Sequence, residues 1–381
     1  MNTPVTDIIS DLYDSGKYRH WQSIWEKASS DDVMAVLQNN NRSFQDFLVL
    51  LSPVAREHLE KIAHAAHTLT LQRFGKIIHM YVPLYISNEC NSDCVYCGFG
   101  RSRSIQRITL TADEIVREAH YLTQQGFHAI LLLSGEAPSV CSPDYFALLA
   151  DTLHTMVSSL SVEVYPMSYD EYRLLVEHGI EGLTVYQETY NKEIYHAVHP
   201  IGKKRDYQWR LGAPERAAQA GMRKISIGAL LGLHAWRTEA AFTAMHAYYL
   251  WKSYWRTHFS ISLPRLVEAD AGYIPESPVD NTSLIQLMCA FRLFLPDIGI
   301  NISTRESSDM RNHVIPLGTT QMSAGSSTQP GGYTVNPQKD GQFTIHDARS
   351  PHAVAEQIRR LGYEPVWKDW DTILSGPIQV R

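Results

Sequence analysis

The chain has 381 residues, 44% hydrophobic and 19% charged, with a formal net charge of −6. That composition suits a large globular core and argues against nucleic acid or an anionic membrane as the main partner. No run of about 18 apolar residues occurs, and the sequence from Met1 to Asp7 lacks the basic-then-apolar order of a signal peptide, so a cytoplasmic protein is expected.

Residues 1–75 read as a helical N-terminal extension without evident chemistry. From residue 78 onward, eight apolar or β-branched runs alternate with helical stretches: 78–86, 128–134, 161–167, 182–187, 223–230, 257–263, 299–304 and 319–323. Such alternation predicts parallel βαβ units, and eight of them predict an α/β fold, a (β/α)8 TIM-type barrel over 76–325. The last run is the weakest, so an open barrel is the alternative. Thr111 and Ser168, each followed three residues later by Glu114 and Glu171, predict capping boxes. Ser142-Pro143 predicts an N-cap with proline in the first turn, and Gly126 and Gly179 predict helix stops. Residues 324–345, rich in Gly, Ser, Thr and Gln, read as a long loop in a closing segment, 326–381. The basic run Gly202-Lys203-Lys204-Arg205 reads as a solvated loop or a contact for an anion or partner. Cys289, in an apolar helical run, reads as buried filler, and Cys141 has no assigned role.

The chemistry-bearing residues fall where such a barrel collects its active site, at the C-terminal strand ends. Cys90, Cys94 and Cys97 follow strand 1, which also carries Tyr85. Ser134-Gly135-Glu136 ends strand 2, Pro166-Met167 strand 3 and Gln187-Glu188 strand 4. Gly228 and Gly232 bracket the end of strand 5, Arg265 follows strand 6, Arg305 follows strand 7 and Ser323 ends strand 8. Three thiolates can hold three corners of a [4Fe-4S] cluster and leave one iron open for reaction. Two bland readings compete: a disulfide with an odd thiol, and a structural zinc site. The zinc site needs a fourth ligand, and no histidine lies between residues 80 and 119. Arg305 could hold a substrate carboxylate. Arg265 could do the same or form a structural pair, and Tyr85 and Ser323 could bind an amino or carboxylate group.

The Cys90-Asn91-Ser92-Asp93-Cys94-Val95-Tyr96-Cys97 spacing resembles the signature of the radical S-adenosylmethionine (SAM) superfamily. The resemblance implies SAM chelated by the open iron and the backbone of Tyr96 against its adenine. Ser134-Gly135-Glu136 resembles that superfamily's Gly-Gly-Glu motif, with Ser in place of the first Gly, and implies contact with the SAM ammonium. It further implies Glu188 on the ribose hydroxyls or that ammonium, Arg210 on the SAM carboxylate, and adenine close to the backbone of Gly228–Gly232.

Tyr81–Asn88, Tyr186–Tyr190, Leu263-Pro264-Arg265 and Ser303–Glu306 are similar to the aromatic amino acid lyase branch. Gln329–Tyr333 and Val366–Asp371 resemble specifically the 2-iminoacetate synthases of bacterial thiamine biosynthesis, the ThiH family. That likeness implies a lyase in which a 5′-deoxyadenosyl radical takes hydrogen from the amino group of L-tyrosine. The Cα–Cβ bond then breaks to give 2-iminoacetate and p-cresol. It also implies a one-electron reductant such as flavodoxin, and hand-off of the labile imine to thiazole synthase (ThiG). The branch member that makes CO and cyanide uses C-terminal cysteines, and this sequence has none after Cys289. The alternatives are a lyase for tryptophan or another amino acid and, more remotely, a non-catalytic iron-sulfur or zinc-binding barrel. No residue stands out in the sequence as the acceptor of the tyrosine phenol proton.

Overall fold

The computed structural model describes residues 3–266, 272–337 and 341–368. Eight parallel strands form the barrel: β1 (Ile77–Ser87), β2 (Ala129–Ser134), β3 (Ser159–Glu163), β4 (Gly182–Thr184), β5 (Lys224–Ile227), β6 (His258–Ser262), β7 (Gly299–Ile302) and β8 (Gln321–Ser323). Each pairs with the next, and β1 pairs with both β2 and β8, so the barrel is closed. The weak eighth run is therefore a strand, and the open-barrel alternative falls.

The helix starts obey their local sequence. Thr111 accepts from the Glu114 N–H while Glu114 reaches back to the Thr111 N–H, and Ser168 and Glu171 repeat the arrangement. Ser142 caps helix Pro143–Leu153. Gly126 and Gly179 lie just past their helices at φ +96° and +89°. Several strands are shorter than their apolar runs. β3 stops at Glu163, three residues before Pro166, which has no N–H to give to a ladder. A ninth strand, β9 (Glu364–Val366), was not foreseen, being only three residues long with a central proline. It pairs in parallel with Ile77–His79, beside the lower part of β1.

The first 75 residues do form helices, and they share the barrel's core rather than standing apart. Val5, Ile9, Trp21, Val33 and Phe47 belong to the same buried cluster as the strand residues Val82, Leu132 and Ile225. Five of the inward positions in the lower barrel are Ser159, Ser161, Gly182, Ser226 and Ser260. They line a cavity of about 340 Å³ where such barrels commonly pack branched side chains. Of the tail motif, Trp367 packs edge-on against Phe127 with centroids 5.0 Å apart. Asp369, Trp370 and Asp371 lie outside the described residues. Among the described residues no helix is long and apolar enough to cross a membrane.

Candidate active site

The cysteine loop leaves β1 and folds over the barrel mouth. Its path is fixed by neighbours on both sides. The Asn91 N–H donates to the Glu136 carbonyl at 2.9 Å, and the Val95 N–H to the Val198 carbonyl at 3.1 Å. Gly135 is required here, because a Cβ on it would stand 2.3 Å from the Glu89 carbonyl oxygen and 3.0 Å from the Cys90 Cβ. All five cysteines are free thiols. Burial raises the Cys90 and Cys94 thiols above the ordinary value. Among the described residues no three His, Cys, Asp or Glu side chains converge as a single-ion site requires. Cys94 is buried and Cys90 and Cys97 are partly exposed. Three free thiols on one loop suit the corners of a polynuclear cluster, whose irons would take the place of the thiol protons.

Beneath the loop lies a buried charge network. Arg210 Nη1 stands 2.7 Å from Glu136 Oε1, and its Nε donates to the Tyr186 carbonyl at 2.6 Å. Arg210 Nη2 is 3.6 Å from Glu188 Oε1, and Lys204 Nζ is 2.7 Å from the same oxygen. Burial alone would raise the Glu188 carboxyl, but Lys204 and Arg210 outweigh it and hold the group below the usual range. The reading of 202–205 as a solvated loop holds only for Lys203 and Arg205, since Lys204 turns inward. Nothing in a run of three basic residues tells which one folds under. Glu188 is the one non-glycine residue with positive φ among the described residues, at +69°. Strain of that kind clusters at active sites and ligand clamps.

The remaining features suit SAM. Both amide atoms of Gln187 are buried without a hydrogen-bond partner among the described residues, a deficit that a bound polar group would remove. A Cβ on Gly228 would meet the Ser262 carbonyl at 2.4 Å, so only glycine fits at the end of β5. Gly232 follows at φ +115°. Leu230, Leu233 and Val198, with Tyr96 packed against them, make an apolar wall beside that segment. Tyr96 is pinned through its hydroxyl to His199 Nε2 at 2.7 Å. Burial, helped by Lys204 and Arg210, pushes His199 well below its ordinary value, so it stays neutral. Cluster and SAM therefore both fit the groups present.

The expected substrate residues separate. Arg305 stacks on the Phe343 ring at 3.5 Å and has no carboxylate partner among the described residues. Arg265 is committed to structure: it binds Glu306 through Nε at 2.7 Å and Nη2 at 2.5 Å, Asn281 at 2.6 Å and the Val279 carbonyl at 2.8 Å. Of its two sequence readings, the structural pair is the one found, with Glu306. The Tyr85 hydroxyl donates to Gln342 Oε1 at 2.7 Å, and Gln342 Nε2 lies 3.8 Å from Cys97 Sγ. Ser323 is buried at the end of β8, and its carbonyl is held by Arg311. Sequence reasoning offered the 202–205 run as an anion contact without singling out Lys204, and it missed Gln342 and Glu163, which ends β3 on the same inward face as Ser159 and Ser161.

The radical SAM superfamily model matches residues 84–241, and the Biotin and Thiamin Synthesis associated domain matches 262–364. The chain is 45% identical over 351 residues to the 2-iminoacetate synthase of Salmonella typhimurium, covering 92% of this chain and 93% of that one. It is 44% identical over 349 residues to the Escherichia coli 2-iminoacetate synthase, with 91% and 93% covered. Among solved structures, the FeFe-hydrogenase maturase HydG from Carboxydothermus hydrogenoformans superposes with a TM-score of 0.87 at 28% identity. That match covers 97% of this chain and 86% of the other.

Proposed function

The chain belongs to the 2-iminoacetate synthase family of the radical SAM superfamily, and we propose that it cleaves the Cα–Cβ bond of L-tyrosine to 2-iminoacetate and p-cresol for the thiazole of thiamine. The observation that carries this reading at the level of the site is the contact of the cysteine loop, through Ser92, with the Arg210–Glu136–Glu188–Lys204 network, together with Arg305, which has no carboxylate partner among the described residues.

Cys90, Cys94 and Cys97 would hold the [4Fe-4S] cluster, whose open iron would take the amino and carboxylate groups of SAM. When bound, cluster and SAM supply one-electron chemistry that removes a hydrogen atom from the substrate. The protein orients the reactants and keeps water away. Arg210 and Lys204 present positive charge to the SAM carboxylate. Glu136 and the backbone at Ser134 and Gly135 would face its amino group, and Glu188 its ribose. The turn from Gly228 to Gly232, with Tyr96, receives adenine. Arg305 takes the tyrosine carboxylate in bidentate geometry, with Tyr85 and Ser323 beside it. The helical collar (1–75), barrel (76–325) and closing segment (326–381) act as one unit in this reading. A cytoplasmic setting, a flavodoxin-type reductant and thiazole synthase (ThiG) as recipient of the imine complete it.

The test is anaerobic reconstitution, reduction, and product analysis with SAM and each aromatic amino acid. p-Cresol and 5′-deoxyadenosine from tyrosine are expected. Deoxyadenosine without cresol, or turnover of tryptophan instead, would overturn the tyrosine assignment while keeping the radical SAM core.

A further inference from the structure

Four strand ends, those of β2, β3, β4 and β7, bring carboxylates to the barrel mouth. Glu136 is tied to Arg210, Glu188 to Lys204 and Arg210, and Glu306 to Arg265. Glu163 differs. Among the described residues no donor lies within hydrogen-bonding distance of its carboxylate and no cation pairs with it. The charged and titratable groups acting on it come from every side of the mouth: Arg305 after β7, Glu188 after β4, Lys204 and Arg210 from the segment after β4. It acts in turn on three phenols, those of Tyr81, Tyr85 and Tyr186.

Its place in the barrel says what it can meet. The strands run in sequence order around a closed ring of eight, so β3 and β7 are opposite walls. Arg305 follows β7 and Glu163 ends β3. A tyrosine whose carboxylate sits on Arg305 keeps its amino group on the β7 side and extends its ring across the mouth. The far end of that molecule is the phenol, and the far wall carries the free carboxylate. We propose that Glu163 is the group that accepts the phenol proton of the substrate, an inference that rests on the tyrosine-lyase reading above.

In this step the phenol O–H bond breaks, an O–H bond forms on a Glu163 carboxylate oxygen, and the electron pair stays on the phenolate oxygen. Negative charge spread from that oxygen into the ring assists loss of the side chain. The benzyl carbon later gains one electron from the one-electron donor and one proton from water. Glu163 then returns its proton to the phenolate, giving neutral p-cresol. The carboxyl is suited to both directions, because burial lifts it from the ordinary 4.5 to about 7, with Arg305 opposing and Glu188 adding to the rise.

The experiment compares wild type with Glu163→Gln and Glu163→Ala, carrying cluster and SAM. Calorimetry on the unreduced protein measures binding of L-tyrosine and of L-phenylalanine, which lacks the hydroxyl. Glu163→Ala should weaken tyrosine by about tenfold and leave phenylalanine unchanged. Equal loss for both would place Glu163 at the amino group and overturn the assignment, as would no change for either. Glu163→Gln keeps the shape and can accept a hydrogen bond but not a proton. Its p-cresol rate should fall by about 100-fold or more with KM nearly constant. Its pH profile should also lose the limb that rises through neutrality in wild type. An unaltered rate and profile would overturn the proposal even if Glu163→Ala fails to fold. Wild type that binds tyrosine but yields no cresol would instead defeat the functional reading, and the binding comparison would still stand.

Discussion

Glu239 holds Tyr190: its carboxylate accepts the Tyr190 backbone N–H at 2.8 Å and the Thr189 hydroxyl at 2.7 Å. A fully buried side chain in helix Trp236–Ser253 thereby fixes the two residues that follow Glu188, the residue held at positive φ. Replacing Glu239 by alanine leaves both donors buried and unmet, costing about 1–3 kcal/mol for each. It also frees the Glu188 turn to relax. The expected outcome is a lower Tm together with weaker SAM binding, at unchanged tyrosine affinity. Calorimetry on the cluster-loaded protein checks all three, and a fall in Tm with intact SAM affinity would reduce Glu239 to a structural role.

Arg305 gives the sharpest substrate prediction. Its guanidinium lies on Phe343 with no carboxylate already claiming it among the described residues, so it is held ready without being neutralised. Arg305→Ala should weaken L-tyrosine by about 2–5 kcal/mol while the cluster still assembles. Lysine at this position keeps the charge but loses the planar fork, and should recover only part of the loss. Tyrosine titrations followed by calorimetry, with the cluster's visible absorbance as control, decide it; undiminished affinity would remove the assignment.

Lys204 should act on SAM rather than on tyrosine. Its ammonium and Glu188 are 12% and 8% exposed and 2.7 Å apart. Lys204→Met leaves Glu188 dependent on Arg210 at 3.6 Å, and breaking a buried pair from one side costs about 3–5 kcal/mol, less what Arg210 restores. SAM affinity is expected to drop about tenfold or more at constant tyrosine affinity.

Much of this site was legible because its residue types are scarce and placed by simple rules. Three cysteines in eight residues cannot serve a closed carrier. Strand alternation then put Glu136, Glu188, Arg305 and Ser323 on one rim. The illegible part depends on which way a side chain points once the chain is packed. Lys204 was lost among Lys203 and Arg205, and Glu163 lay inside a run read as continuing to Met167. Arg265 and Arg305 each follow a barrel strand, yet only the presence of Glu306 and Asn281 at one of them separates a structural arginine from an available one. β9 escaped because its pairing depends on a vacant edge of β1, far away in the sequence, where Ile78 is the partner of Pro365, and not on its own pattern.

The acid response of Glu188 follows from its charge partners. Its folded-state carboxyl lies below the ordinary 4.5, net of burial and the stronger pull of Lys204 and Arg210. A depressed carboxyl stabilises the fold above its unfolded pKa and loses that contribution as pH falls through the folded value. Glu188→Gln should therefore lower Tm most near neutrality, with the gap to wild type closing below about pH 4. Thermal scans across that range check the sign, and a gap that stays constant in acid would show that Glu188 is not charged in the native state.

Asp347 ties the closing segment to the barrel mouth. It is 1% exposed, pairs with the fully buried Arg311, and takes Arg349 Nε at 2.8 Å and Nη2 at 2.6 Å. Arg311 also donates to the Ser323 carbonyl at the end of β8. The His346 and Asp347 N–H groups return to the Thr304 carbonyl, next to Arg305. One aspartate therefore couples the segment carrying Gln342 and Phe343 to the strand ends carrying Arg305 and Ser323. Asp347→Ala would strand a buried guanidinium, a loss of about 3–5 kcal/mol. Because Phe343 supports Arg305 and Gln342 meets both Tyr85 and Cys97, the damage should reach the substrate side. Tyrosine affinity should fall along with Tm, and proteolysis should open the 324–350 region first. The double replacement Asp347→Asn with Arg311→Met removes both charges and should recover most of the stability. A double variant as unstable as Asp347→Ala would mean that the loss comes from packing and not from the stranded charge.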